Sequence, residues 1–123
     1  MTLPVGDNIT SLLGTFLDVQ SRRAEVVAGN LANADTPAYV ARELEFADFL
    51  RDAATQSLAP ASLQNKQLAQ ARVVDQEVTT IGIDGNTVDP GREMATLAEA
   101  GTKYLEGAQL LQMRLRTLRL AMK

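Results

Sequence analysis

The last third of the chain carries a feature that leaves few folds open. From Met94 onward, apolar or small residues recur at Met94, Leu97, Gly101, Tyr104, Ala108, Leu111, Leu115, Leu118 and Met122. The steps alternate between three and four, the a/d spacing of a coiled-coil seam, which no strand presents on one face. Glu99, Lys103, Glu106, Arg114, Arg116 and Arg119 fill the intervening positions, as a charged rim does. Asp89-Pro90 opens the segment: the Asp carboxylate accepts from free N–H groups of a first turn, and Pro is tolerated at the first helical position. Glu93 near the start and arginines near the end suit the helix dipole. The spacing predicts one long helix over 89–123.

A second helix is predicted near the other terminus. Asp7 or Asn8 supplies a cap, and Ile9, Leu12, Leu13, Phe16, Val19, Val26, Val27 and Leu31 form an apolar stripe. Arg23 interrupts the stripe, and Gly29 weakens the helix near its end. A helix from about 8 to 33 would be about 39 Å long. Thr36-Pro37 stops it, because the residue before proline is pushed out of the α region.

The middle differs in kind. Leu44 to Leu50 suits a short amphipathic turn or helix presenting Phe46, Phe49 and Leu50. Residues 53–62 are small, polar and low in complexity, a composition expected to be loop or partly disordered. Arg72-Val73-Val74 and Val78-Thr79-Thr80-Ile81-Gly82-Ile83 have strand character, and Asp84-Gly85-Asn86 reads as a turn, so a small β-hairpin is expected there. The chain thus divides into an N-terminal helix and turn over 1–40, a flexible middle over 41–88 and a C-terminal coiled-coil helix over 89–123. The expected class is all-α, with the two long helices packed as an antiparallel coiled-coil pair.

Such a pair makes a thin core. Apolar residues form 46% of the 123 positions, but aromatics form only 4% and Trp is absent, so aliphatic side chains and Ala must do the packing. Each buried Leu contributes about 1.5–3 kcal/mol, against a backbone ordering cost of about 1–2 kcal/mol per residue. A lone helical hairpin barely balances, so its seam residues should find partners on other chains. Leu97, Tyr104, Leu111, Leu115 and Leu118, facing Ile9, Leu13, Phe16 and Val27, are the candidates for that packing.

Absent residue types exclude whole chemistries. Without Cys there is no disulfide, thiolate nucleophile or Cys-based metal site. Without His the commonest general base and metal ligand is gone. Asp48, Asp52, Asp75 and Glu77 show no paired spacing for acid–base work. Asp84-x-Asn86 has the opening spacing of a calcium loop, but Val88 stands at the fifth position and the required Gly and Glu are misplaced. No catalytic residue, cofactor or metal is expected. Twelve Lys and Arg against fifteen Asp and Glu leave a formal charge of −3, which speaks against binding nucleic acid or anionic lipid. No apolar run is long enough to span a membrane, and the first residues lack the basic and apolar regions of a cleavable signal peptide. The chain is expected either to stay in the cytoplasm or to leave by a route that reads no such signal.

Between the first helix and the middle lies Asn30-Leu31-Ala32-Asn33-Ala34-Asp35-Thr36-Pro37-Ala38-Tyr39. On its own chemistry this is a capped helix stop: amides near a helix C-terminus bond its unpaired carbonyls, and Asp and Thr stabilise the turn that follows. The run also resembles the N-terminal signature of the bacterial flagellar axial proteins, Asn-(Ile/Leu)-Ala-Asn-x-x-Thr-x-Gly-(Tyr/Phe). Tyr39, Ala41-Arg42, Phe46, Asp84-Gly85-Asn86-Thr87-Val88-Asp89, Arg92-Glu93-Met94 and Leu97-Ala98-Glu99 add a likeness to its proximal rod members. The likeness covers both ends and leaves the centre unmatched. It departs at Ala38, where the family has Gly, and at Val40, where a basic residue is common. If that Gly has positive φ, Ala38 must take another geometry or carry strain.

The resemblance implies a non-catalytic subunit of the flagellar rod, a helical tube that spans the periplasm and transmits torque. It implies that Asn30, Asn33, Thr36, Pro37 and Tyr39 carry a turn packed between neighbouring subunits, which is compatible with a rigid helix stop. The implied partners are further copies, other proximal rod proteins, the base (MS) ring and the adaptor joining ring to rod. Export through the flagellar type III channel without a cleavable signal is implied as well. Composition alone also permits a cytoplasmic coiled-coil adaptor or an export chaperone.

Overall fold

The structure, a computed structural model, describes residues 5–58 and 71–123. In chain order they form α1 (Val5–Ala32), β1 (Arg42–Glu45), α2 (Ala47–Leu58), β2 (Arg72–Asp75) and α3 (Pro90–Ala121). The two long helices, of 28 and 32 residues, are about 42 and 48 Å long. They run antiparallel: Asn30 meets Glu93, Arg23 meets Glu99, and Phe16 lies against Gly107. The expected class, a long helical pair with a small β element, is the one the chain adopts.

Asp89 caps α3 as its chemistry dictates. Its backbone is extended, and its Oδ1 accepts from Gly91 N at 3.1 Å and Arg92 N at 3.3 Å, with Pro90 in the first turn. Such a cap contributes about 1 kcal/mol. α1 starts earlier than expected, at Val5, so Asp7 and Asn8 lie inside the helix and not at its cap. It stops at Ala32, where Asn33 Nδ2 donates to Gly29 O at 2.8 Å and takes up one of the last free carbonyls.

The seam is the predicted heptad turned by one residue on one of its two positions. Glu93, Ala100 and Gly107 are the buried residues of α3, flanked by half-buried Leu97, Leu111, Arg114 and Leu118. Met94 and Leu115 stay 64% and 48% exposed, and Tyr104 is also exposed. Close approach explains the rotation. A Cβ on Gly107 would lie 2.9 Å from Phe16 Cδ1 and 3.0 Å from Leu17 Cδ2, so α3 turns its smallest residues toward α1.

The strand pairing differs from the predicted hairpin. β2 pairs antiparallel with β1, in register Arg42↔Asp75, Glu43↔Val74, Leu44↔Val73 and Glu45↔Arg72, and 78–83 forms no strand. β1 supplies what 78–83 lacks: it buries Leu44 with Val19 and Ala71, against which Phe46, Phe49 and Leu50 pack. Ile81 and Ile83 stay exposed. α2 runs through Ala53–Leu58, part of the stretch read as low-complexity loop. Ala and Leu are strong helix formers, and Ala53 is buried there, so tertiary contact overrides the polar neighbours. The disorder expected over 59–62 lies outside the described residues.

Candidate functional site

Asn30, the first residue of the signature run, is wholly buried, as is Glu93 at the start of α3. Asn30 Nδ2 donates to Arg42 O at 2.7 Å and to Glu93 Oε2 at 2.9 Å, while its Oδ1 accepts from Arg42 N at 2.9 Å. The amide therefore acts as a short strand partner for the start of β1 and also ties α1 to α3. Gln76 Nε2 donates to the other Glu93 oxygen at 3.0 Å. Among the described residues no cation pairs with this buried carboxylate; two amides hold it, so both its oxygens are satisfied.

Beside this network the chain after α1 is laced to the chain before α3. Asn86 Nδ2 lies 2.8, 3.0 and 2.7 Å from the carbonyls of Asn33, Ala34 and Thr36. Its Oδ1 accepts from Val88 N at 2.7 Å. Ala38 N donates to Asp84 O at 2.9 Å, Thr87 N to Tyr39 O at 3.0 Å, and Ala41 N to Thr87 Oγ1 at 2.8 Å. Ala38 takes φ 59°, so of the two outcomes its departure allows, it keeps the left-handed geometry and bears the strain. Gly85 opposite has φ 80°, and a Cβ there would lie 3.6 Å from Ala38 Cα. The result is a rigid clasp joining adjacent ends of the two long helices.

The sequence-predicted residues fall into three groups. Asn30, Asn33 and Tyr39 are engaged within the chain, Tyr39 by a 3.4 Å bond from its hydroxyl to Asn30 Oδ1. Thr36 and Pro37 are exposed at the tip of the turn, although the Thr36 hydroxyl donates to Asn33 Oδ1 at 3.1 Å. Along the helices Val27 is buried, Ile9, Leu13, Phe16, Leu97, Leu111 and Leu118 are half-buried, and Tyr104 and Leu115 face outward. Leu13 and Phe16 line an apolar groove of about 330 Å³ with Leu12, Leu50, Ala54 and Leu110. Sequence reasoning missed Glu93, Gln76 and Asn86 as clasp residues. An Asn two residues after Asp84 was readable as a turn, but only the fold shows which carbonyls it reaches.

Arg23, which interrupts the apolar stripe, stacks 5.1 Å over the Phe46 ring and donates from Nη2 to Glu99 Oε2 at 3.3 Å. Glu99 lies below the ordinary carboxylate range, first through the hydrogen bond from Lys103 and then through the charge of Arg23. Among the described residues no cluster of three or more His, Cys, Asp or Glu side chains could hold a metal ion, and no helix is long and apolar enough to cross a membrane. The polar groups of the clasp are consumed in holding segments together, and the remaining resource is surface.

No family model matches the chain. Curated relatives do. A flagellar basal body rod protein FlgB of Escherichia coli (strain K12) is 35% identical over 109 residues, covering 72% of this chain and 73% of the relative. The FlgB of Aeromonas hydrophila is 34% identical over 117 residues, covering 87% and 86%. That of Salmonella typhimurium is 31% identical over 108 residues, covering 77% and 78%. With identities above 30% across more than two thirds of both partners, the chain belongs to the family of flagellar basal body rod proteins FlgB.

Proposed function

We propose that the chain is a structural subunit of the flagellar basal-body rod, joining copies of itself and other axial proteins in a tube that passes torque across the periplasm. The family supports the rod assignment, and one observation of the structure supports assembly. The second half of α3 is apolar on faces that α1 does not cover: Leu105, Leu110, Met113, Leu115 and Leu120 are all about half to two thirds exposed. Large apolar side chains exposed on more than one side of a helix call for further cover, and one antiparallel neighbour covers a single stripe. A heterologous contact that repeats without closing builds a helical tube from such subunits.

In this reading Tyr104 and Leu115 dock onto neighbouring helices, Thr36 and Pro37 present the turn between subunits, and the buried Asn30 holds that turn in shape. The partners are the other proximal rod proteins, the rod-to-ring adaptor and the base ring. Passage through the type III channel delivers the chain to the rod. The test is Leu115→Asp, at a position whose side chain the monomer does not need. Cells carrying it should not swim and should lack a complete rod, while the purified variant keeps its helical circular dichroism. A motile strain with normal rods would overturn the proposal.

A further inference from the structure

Arg23 is more enclosed than its bonds explain. Its Nη2 reaches Glu99 and its plane covers Phe46, yet Nη1 is buried and finds no hydrogen-bond partner among the described residues. A guanidinium carries five N–H donors in a planar fork, and a buried donor left unmade weakens the fold. A recess of about 120 Å³ opens beside it between α1, β1 and α3, with Arg42, Arg92, Glu43, Gln76 and Thr96 in its lining. Among the described residues neither Arg42 nor Arg92 has an ion-pair partner. Of the nearby acids, Glu99 is ion-paired with Arg23 and Lys103, and Glu93 has both oxygens hydrogen-bonded by the amides of Asn30 and Gln76. Glu43 is the acid in the lining, set against three arginines.

Size narrows the occupant. At about 30 Å³ per water the recess holds roughly four waters' worth of volume. Ligand pockets of about 300–1,000 Å³ accept metabolites, so this one takes only a small group. Arginine forks match a carboxylate in shape and charge. We infer that the recess receives a carboxylate presented by an Asp or Glu side chain of an adjacent rod subunit, with Arg42 and Arg92 supplying its charge and its hydrogen-bond donors. This rests on the rod-subunit reading above. It adds a polar contact to the apolar ones, and a polar contact sets register, which leucine faces alone leave loose.

The test uses the full chain in a strain deleted for it. The wild-type gene should restore swimming; a deletion strain that already swims would overturn the rod reading itself. The double variant Arg42→Gln, Arg92→Gln should be exported and fold normally by circular dichroism, yet fail to restore swimming. Wild-type swimming by that variant would overturn the recess proposal and leave the rod reading standing. A photo-crosslinking residue at Thr96 in assembled basal bodies should join a neighbouring subunit's peptide containing Asp or Glu. Crosslinks confined to the same chain would count against the proposal. Titrating the purified chain with sodium acetate and with sodium phosphate, against sodium chloride at equal ionic strength, separates the sources. Acetate should shift the Arg42 and Arg92 side-chain resonances, and a response to phosphate alone would identify a free-anion site and overturn the carboxylate assignment.

Discussion

Ala38 holds a backbone angle, φ 59°, that a Cβ disfavours. Left-handed geometry costs an L-residue about 1–2 kcal/mol, while glycine forfeits about 0.4–1 kcal/mol through the freedom it regains on unfolding. Ala38→Gly should therefore stabilise the chain by about 0.5–1 kcal/mol, read as a higher urea midpoint at unchanged slope. Asn30 lies at the other extreme. Removing its amide takes the partner from one oxygen of the wholly buried Glu93 and from the N–H and carbonyl of Arg42, whose bonds are partly buried. Each buried group left unsatisfied costs about 1–3 kcal/mol. Asn30→Ala should thus cost about 3 kcal/mol in the same titration. A loss below about 1 kcal/mol would mean that water reaches the site and that the amide is not the clasp's anchor.

Between elements, the two long helices meet through small residues, and two glycines of α3 should respond in opposite directions. Gly101 has open space where a Cβ would stand, so Gly101→Ala should raise stability by about 1 kcal/mol through helix propensity alone. Gly107 faces the Phe16 ring and the Leu17 methyl. Gly107→Leu should cost about 1–3 kcal/mol from overpacking, offsetting any gain in propensity. Thermal melts of both variants check the pair. Gln20 on α1 is 1% exposed, and neither of its amide atoms finds a partner among the described residues, a burden of about 1–3 kcal/mol. The helical pair thus carries an internal penalty and leaves apolar faces outward, which fits an element completed by its neighbours.

At the scale of the whole molecule these features bear on how the subunit travels. On the export route proposed above, the helical pair must come apart to pass the channel, and it holds no disulfide to prevent this. Arg23 and Glu99 meet across the two helices. Replacing both with Cys and joining them by a short thiol-reactive linker should stop secretion of the full chain, while the unlinked double variant is still exported. Undiminished secretion of the linked form, measured in culture supernatant, would show that the pair passes without separating.

Much of this protein was legible in its residues because the relevant forces are local. A three–four apolar spacing, an Asp-Pro cap and a Thr-Pro stop act within a few residues of themselves, so both long helices, their antiparallel pairing and the turn after α1 could be read directly. The phase of the seam could not: Met94 and Glu93 are neighbours, and which one turns inward depends on how closely Phe16 approaches Gly107. Nor could the strand pairing, since Arg72–Asp75 prefers the strand that brings Leu44 to Val19 over the nearer 78–83. The clasp of Asn30, Gln76 and Glu93 unites residues distant in the chain. A polar side chain's role is decided by the donor or acceptor that burial places beside it, and only the tertiary structure specifies that neighbour.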